Sequence, residues 1–298
     1  MTTGRAGNAI PAPPRAAHVQ GTGPTVDEVA RLADFAARHA PLFVISGAGC
    51  STESGIFDYR GRDGQWKRKP PVQYDQFIRS EAARQRYWAR SHVGWQRFHA
   101  ARPNPAHLAL AALERAGVVG IVVTQNVDGL HQAAGHERVI DLHGRLDAVI
   151  CTACGRRTAR ADVAAWLDWN NPGFETPEHS LAPDGDADFE GVDLTGFRVP
   201  CCDRCGGVVK PDVVFFGENV PRARVDAAFD ALAQSGGVLI CGSSVMVQSS
   251  FRFCRRAEAM HLPVAALNQG VTRADAMLSL KVEARCGPTL AALAAGLG

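Results

Sequence analysis

Short apolar runs without polar alternation recur along the chain, at Leu42–Ile45, Val118–Thr124, Val213–Phe216, Val238–Cys241 and Val264–Leu267. Such runs suit strands buried on both faces, as in a parallel sheet covered by helices. Helical patterns lie between them, notably over Pro105–Ala116 and Arg224–Gln234. A further helix is expected to open at Thr25, where Thr25 and Glu28 stand at capping-box spacing ahead of the apolar face Val29, Leu32, Phe35 and Ala36. The alternation predicts an α/β fold built on a doubly wound parallel sheet.

Two segments break this rhythm. Residues 149–206 carry paired cysteines, two tryptophans and the acidic stretch Glu175–Asp193, and are read as a small inserted domain. Residues 61–104 hold Trp66, Tyr74, Phe77, Tyr87, Trp88, Trp95 and Phe98, an aromatic-rich helical insertion. The main domain is therefore expected in two parts, 25–148 and 207–298, behind a disordered tail over 1–24.

A chain of 298 residues, 46% hydrophobic and 21% charged, is long enough for a large core or a large and a small domain packed together. The net charge is +2 and the basic residues are interspersed with acids, so no nucleic-acid footprint is present. No run approaches the roughly 20 apolar residues of a membrane span. The first 24 residues contain Arg5 and Arg15 but no acid and no apolar core of a secretory signal, which leaves a plain tail or a segment of some transit-peptide character. Nine cysteines, an odd number with no export signal, favour a reducing, cytoplasmic compartment and a metal site over a disulfide framework.

The pairs Cys151-x-x-Cys154 and Cys202-x-x-Cys205 offer four thiolates, the closed tetrahedral set of a structural zinc; a redox pair or a chance pairing is the alternative. Cys201 could replace Cys202, but only Cys202 preserves the two-residue spacing. Gly47-Ala48-Gly49-Cys50-Ser51 follows a buried strand, and its glycines would let backbone N–H groups approach a diphosphate. Taken alone, such a turn is as well explained by structure, since it is not a full G-x-G-x-x-G.

The residues that follow, Thr52–Gly61 reading TESGIFDYRG, extend this turn into a segment that resembles the nucleotide-binding signature of sirtuins. Gln125-Asn126-Val127-Asp128, Leu142-His143-Gly144 and Lys210–Glu218 resemble further family signatures in family order, as do Gly242-Ser243-Ser244 and Asn268-Gln269-Gly270, so the similarity spans about residues 27–295. Within the family it is most similar to the class II branch. The resemblance implies a Rossmann-like NAD-binding domain, a structural zinc module and removal of acyl groups from lysine side chains of proteins or peptides, with release of nicotinamide and an O-acyl-ADP-ribose. It makes His143 the general base, a role that suits imidazole, though a lone His is also commonly a hydrogen-bonded core residue. It puts Asn126 and Asp128 with Gln125 at the nicotinamide end of the cofactor. Gly47, Ala48, Gly49, Ser51, Thr52, Asp58, Tyr59, Arg60 and Trp66 become the cofactor loop. Ser243, Ser244 and Asn268, with Gly242, Gln269, Gly270 and the Cys286 backbone, become the adenosine end. Val213, Phe215, Phe216, Gly217 and Glu218 would form the substrate groove, where an extended peptide adds as a strand.

Two positions depart from the family pattern: Cys50 and Phe57 stand where Ile and Pro are usual, and Phe57 removes a residue that stiffens the loop. Tyr87 and Arg90, spaced Y-x-x-R, resemble a pair that holds acidic acyl groups in some sirtuins; the alternative is an amphipathic helix with a core Tyr and a solvated Arg. Mono-ADP-ribosyl transfer and a non-catalytic NAD or zinc scaffold remain as rival functions, with hydride transfer weaker because the glycine turn lacks the full fingerprint.

Overall fold

The computed structural model describes residues 23–56, 58, 60–66, 72–174 and 194–297. Expectations for residues 1–22, Phe57, Tyr59 and the stretch 175–193 lie outside them. The chain opens on helix α1 (Val26–His39), and the capping box forms: Thr25 Oγ1 accepts from the Glu28 amide at 3.2 Å while Glu28 accepts from the Thr25 amide at 2.8 Å.

Six parallel strands form the main sheet in the order β3 (Val139–Asp141), β2 (Val119–Thr124), β1 (Leu42–Ser46), β7 (Gly237–Cys241), β8 (Val264–Leu267), β9 (Leu280–Val282). Strand order reverses between β1 and β7, the arrangement of a doubly wound dinucleotide fold. All five residues of β1 are buried, as its unbroken apolar run requires. Its side chains still alternate between two cores. Leu42 and Val44 join Leu32, Leu110, Leu113 and Leu290 under α1, α4 (Pro105–Arg115) and α9 (Cys286–Leu297). Phe43 and Ile45 join Leu232 and Phe253 under α7 (Arg222–Ala233) and α8 (Gln248–Ala259).

One expected strand sits elsewhere. The run at Val213–Phe216 does not continue the parallel sheet: the strand is β6 (Val209–Val213), antiparallel to β4 (Gly144–Cys151), which also pairs with β5 (Arg157–Ala159). Apolarity announced burial but not which sheet. The polar residues of β6 are buried because each is paired: Lys210 Nζ lies 3.1 Å from Glu218 Oε2, and Asp212 pairs with Arg157 and, at 3.6 Å, with Arg224.

Helices α2 (Tyr74–Arg79), α3 (Glu81–Ala100) and α6 (Arg160–Asn170) share a third core with this small sheet, built from Phe77, Trp88, Val149, Leu167, Phe197 and Phe215. The aromatic insertion and the cysteine-bearing segment are thereby packed into one unit, which stands beside the ends of β1 and β2.

Candidate active site

Four strands deliver the site's backbone. The turn after β1 (Gly47, Ala48, Gly49 and Ser51), the segment after β2 (Gln125–Asp128), the turn after β7 (Gly242–Ser244) and the residues after β8 (Asn268, Gln269) all line one cavity of about 900 Å³. Ligands of open α/β sheets bind at this place, outside the carboxyl ends of the strands where the order reverses.

The two glycine turns interlock. The Gly49 amide donates to Gly242 O at 2.8 Å, and a Cβ on Gly49 would stand 2.8 Å from Gly242 Cα. Gly242 itself has φ +57°, and a Cβ there would fall 2.4 Å from the Cys50 nitrogen. Only glycine allows both the approach and the left-handed backbone.

Hydrogen bonds fix the polar groups. Asn126 Nδ2 donates to Gly47 O at 2.9 Å and to Ser51 Oγ at 3.0 Å, and Ser51 Oγ donates to Asp128 Oδ2 at 2.7 Å. Asp128 also accepts from the Leu130 amide at 2.9 Å, yet burial holds its carboxyl above the usual range. Gln125 Nε2 donates to Ser243 Oγ at 2.7 Å, joining the β2 and β7 loops. Asn268 Nδ2 donates to Gly270 O at 3.3 Å, and the Val271 amide donates to Arg62 O at 2.9 Å, which docks the 60–66 loop on the β8 loop. In that loop the Arg60 guanidinium lies 4.1 Å from the centroid of Trp66, whose ring meets Phe216 at 5.4 Å.

His143 follows β3 and is half-buried at the cavity wall. Its Nδ1 lies 3.1 Å from Gln125 O, and a carbonyl can only accept, so Nδ1 carries the proton. Nε2 is left as the lone-pair nitrogen and accepts from Ser249 Oγ at 2.8 Å. Loss of hydration pushes the imidazole down to about 4, leaving it neutral at pH 7. Ser249, in the first turn of α8, was not picked out in the sequence; it lies outside every glycine-rich or acid-bearing motif.

Of the groove segment, Val213, Val214, Phe215 and Phe216 line the cavity. Gly217 and Glu218 stand behind it: Glu218 Oε2 accepts from the Phe215 amide at 2.9 Å and from Lys210, buttressing the groove from the protein side. Tyr87 lines the cavity with Ser91, Trp95 and Phe98, and packs 5.1 Å from Phe215. Arg90 is not among the lining residues. The buried guanidinium at this wall belongs instead to Arg160, which donates to Ser91 O at 3.1 Å and lies 5.0 Å from the Trp95 centroid. Thr52, Asp58 and Cys286 line the cavity; Gly270 supports it through Asn268.

The sulfurs of Cys151, Cys154, Cys202 and Cys205 lie within 4.8 Å of one another, with Cys151 and Cys205 at 3.5 Å and Cys154 and Cys202 at 3.7 Å. Tetrahedral zinc with bonds of about 2.3 Å needs sulfurs about 3.8 Å apart, so the tetrad fits a closed zinc site. Cys201 is exposed and outside the cluster.

A doubly wound domain whose switch-point cavity is walled by a cysteine-clustered module defines an NAD-type enzyme with a structural metal. Residues 47–249 match the Sir2 family. The NAD-dependent protein deacetylase 2 of Bradyrhizobium diazoefficiens is 56% identical over 262 residues, covering 88% of this chain and 96% of that protein. The NAD-dependent protein deacetylase 1 of Streptomyces coelicolor is 46% identical, covering 92% of each. Among solved structures, a complex described as Sir2 with a p53 peptide and NAD+ is similar with a TM-score of 0.71 and 27% identity, covering 87% of this chain and 94% of the other. The chain belongs to the Sir2 family, the sirtuins.

Proposed function

We propose that this protein is an NAD-dependent protein lysine deacetylase that moves the acyl group from lysine to ADP-ribose and releases nicotinamide. The observation that carries the reading is the defined tautomer of His143 at the cavity wall: a neutral imidazole whose Nε2 can take a proton. NAD, when bound, supplies an electrophilic ribose carbon with nicotinamide as its leaving group. The residues at hand fit it: interlocked glycine turns beside a diphosphate path, and Asn126, Asp128, Gln125 and Ser243 as convergent polar groups in an otherwise largely apolar cavity.

His143 Nε2 exchanges Ser249 for a ribose hydroxyl and accepts its proton, while Gln125 O holds the ring in place from the other side. Asp128 and Asn126, tied together through Ser51, orient the carboxamide end. Val213 to Phe216 wall the groove for an extended peptide, and Tyr87, Trp95, Phe98, Phe215 and Phe216 make an apolar channel for the acyl-lysine stem. Acetyl-lysine is the expected substrate, the class of reaction for which the bacterial relatives are named. The free thiols and the Cys tetrad suit a cytoplasmic location.

The test incubates the zinc-loaded protein with NAD and peptides bearing acetyl, longer apolar, succinyl or glutaryl lysine, following peptide mass and nicotinamide together. Acetyl loss with stoichiometric nicotinamide is expected, reduced about 10²- to 10⁴-fold in His143→Ala. Nicotinamide release with every acyl group intact and ADP-ribose on protein would overturn the reading.

A further inference from the structure

Beneath the cofactor turn lies a second thiol cluster. The sulfurs of Cys50, Cys241 and Cys286 all lie within 4.8 Å of one another, brought together from the turn after β1, the end of β7 and the first residue of α9. All three are free, and their exposures are 1%, 0% and 6%. Around them the core is apolar: Leu42, Leu239, Leu267, Val282 and Ala284 belong to the same packed cluster. Cys50 Sγ lies 3.2 Å from Cys241 O and Cys286 Sγ 3.8 Å from Leu267 O, so backbone carbonyls already orient two of the thiols. Cys286 also lines the cavity, which gives a reagent a way in.

Charge selects what three thiolates in such a place can hold. Zinc would leave a net negative charge and an unfilled fourth position; a monovalent soft ion would leave a larger charge still. A buried uncompensated charge is costly. A trivalent, three-coordinate thiophile leaves none. We propose that Cys50, Cys241 and Cys286 form a binding site for one arsenic(III) centre, taken up from arsenite directly beneath the NAD turn. The step balances without a redox partner: As(OH)3 and three thiols give As(SR)3 and three waters, three As–O bonds being exchanged for three As–S bonds. Cys286, which lines the cavity, is the first thiol to meet arsenite, and at each exchange the thiol proton leaves with the departing hydroxide as water.

Loading would join the Cys50 turn to β7 and α9. On the NAD reading proposed above, the expected consequence is a raised KM for NAD; the site itself does not depend on that reading. The experiment adds arsenite to the zinc-loaded full chain and reads native mass and zinc content together. Wild type should retain one arsenic, less three hydrogens, with its zinc unchanged. Removing one of three thiols should weaken retention on the order of a hundredfold, in both Cys241→Ala and Cys50→Ile. Cys254→Ala, which removes a buried cysteine of the opposite core, should retain arsenic as wild type does. Should Cys241→Ala fail to fold, seen as lost zinc, Cys50→Ile carries the test. Arsenic uptake only at the expense of zinc, undiminished uptake in the folded variants, or no uptake would overturn the proposal.

Discussion

At the scale of the residue, the hydrogen bond from Ser249 to His143 has two opposed effects. It stabilises the neutral imidazole by donating to Nε2, and it occupies the atom that must take a proton. Burial has already lowered His143 to about 4, so in the free protein the acid limb of kcat/KM due to this group should fall near pH 4 rather than 6.5. Ser249→Ala removes a donor to the neutral form, which raises the pKa. A hydrogen bond of about 1 kcal/mol corresponds to slightly less than one unit. The acid limb of the variant should shift upward by that amount, and a titration of labelled His143 should shift with it. Superimposable profiles would show that Ser249 is a bystander. The same paired reasoning separates Cys201 from Cys202: Cys201→Ser should keep its zinc, because Cys201 is exposed outside the tetrad, whereas Cys202→Ser should lose it.

At the scale of the element, the zinc module and the catalytic wall share material. β4 begins one residue after His143 and ends on Cys151, and β6 runs from the neighbourhood of the second cysteine pair to Val213 at the cavity. Loss of zinc therefore reaches the groove through two strands. Structural zinc binding of about 10 kcal/mol or more is folding free energy. Cys202→Ser is accordingly expected to weaken peptide binding more than NAD binding, since β1 and β7 form the other sheet; isothermal titration with each ligand checks it. Equal loss for both would mean that the sheets do not act separately. What could be read from the chain alone follows the same division. Strands β1, β2, β7 and β8 announce themselves because their buried runs are almost wholly apolar, and glycine turns follow β1 and β7 directly. Strand β9 is three residues with Lys281 at its centre, and β6 contains Lys210 and Asp212, so neither has an apolar signature. Arg157, 55 positions away, together with Glu218 and Arg224 just beyond the strand, makes Lys210 and Asp212 buriable. For the same reason the motif residues could be named in advance, while Ser249 and Arg160, which act through contacts across 106 and 69 positions, could not.

At the scale of the whole molecule, the core behind the site holds a row of buried histidines. His107 and His131 rings stand 4.9 Å apart and His131 and His136 5.2 Å apart, between Ser51 at the cavity and Glu114, which pairs with His136. All three are held below the usual range, first by burial, His107 reaching about 4, and a charge on one ring would face its neighbours. A group with a depressed folded pKa binds fewer protons folded than unfolded, so its stabilising contribution is lost as pH falls from 6.5 toward 4. At 1.36 kcal/mol per unit, His107 alone costs about 2 kcal/mol by pH 5. Acid also frees zinc by protonating thiolates, so the absolute loss is ambiguous, but that effect is common to a variant with an intact tetrad. His107→Asn should be less stable than wild type at pH 7, having lost the contact to Ser51, and the gap should narrow by about 2 kcal/mol at pH 5. Urea midpoints of both proteins at the two pH values decide it: parallel shifts would mean that His107 titrates alike in the folded and unfolded chains, and that acid sensitivity lies with the metal instead.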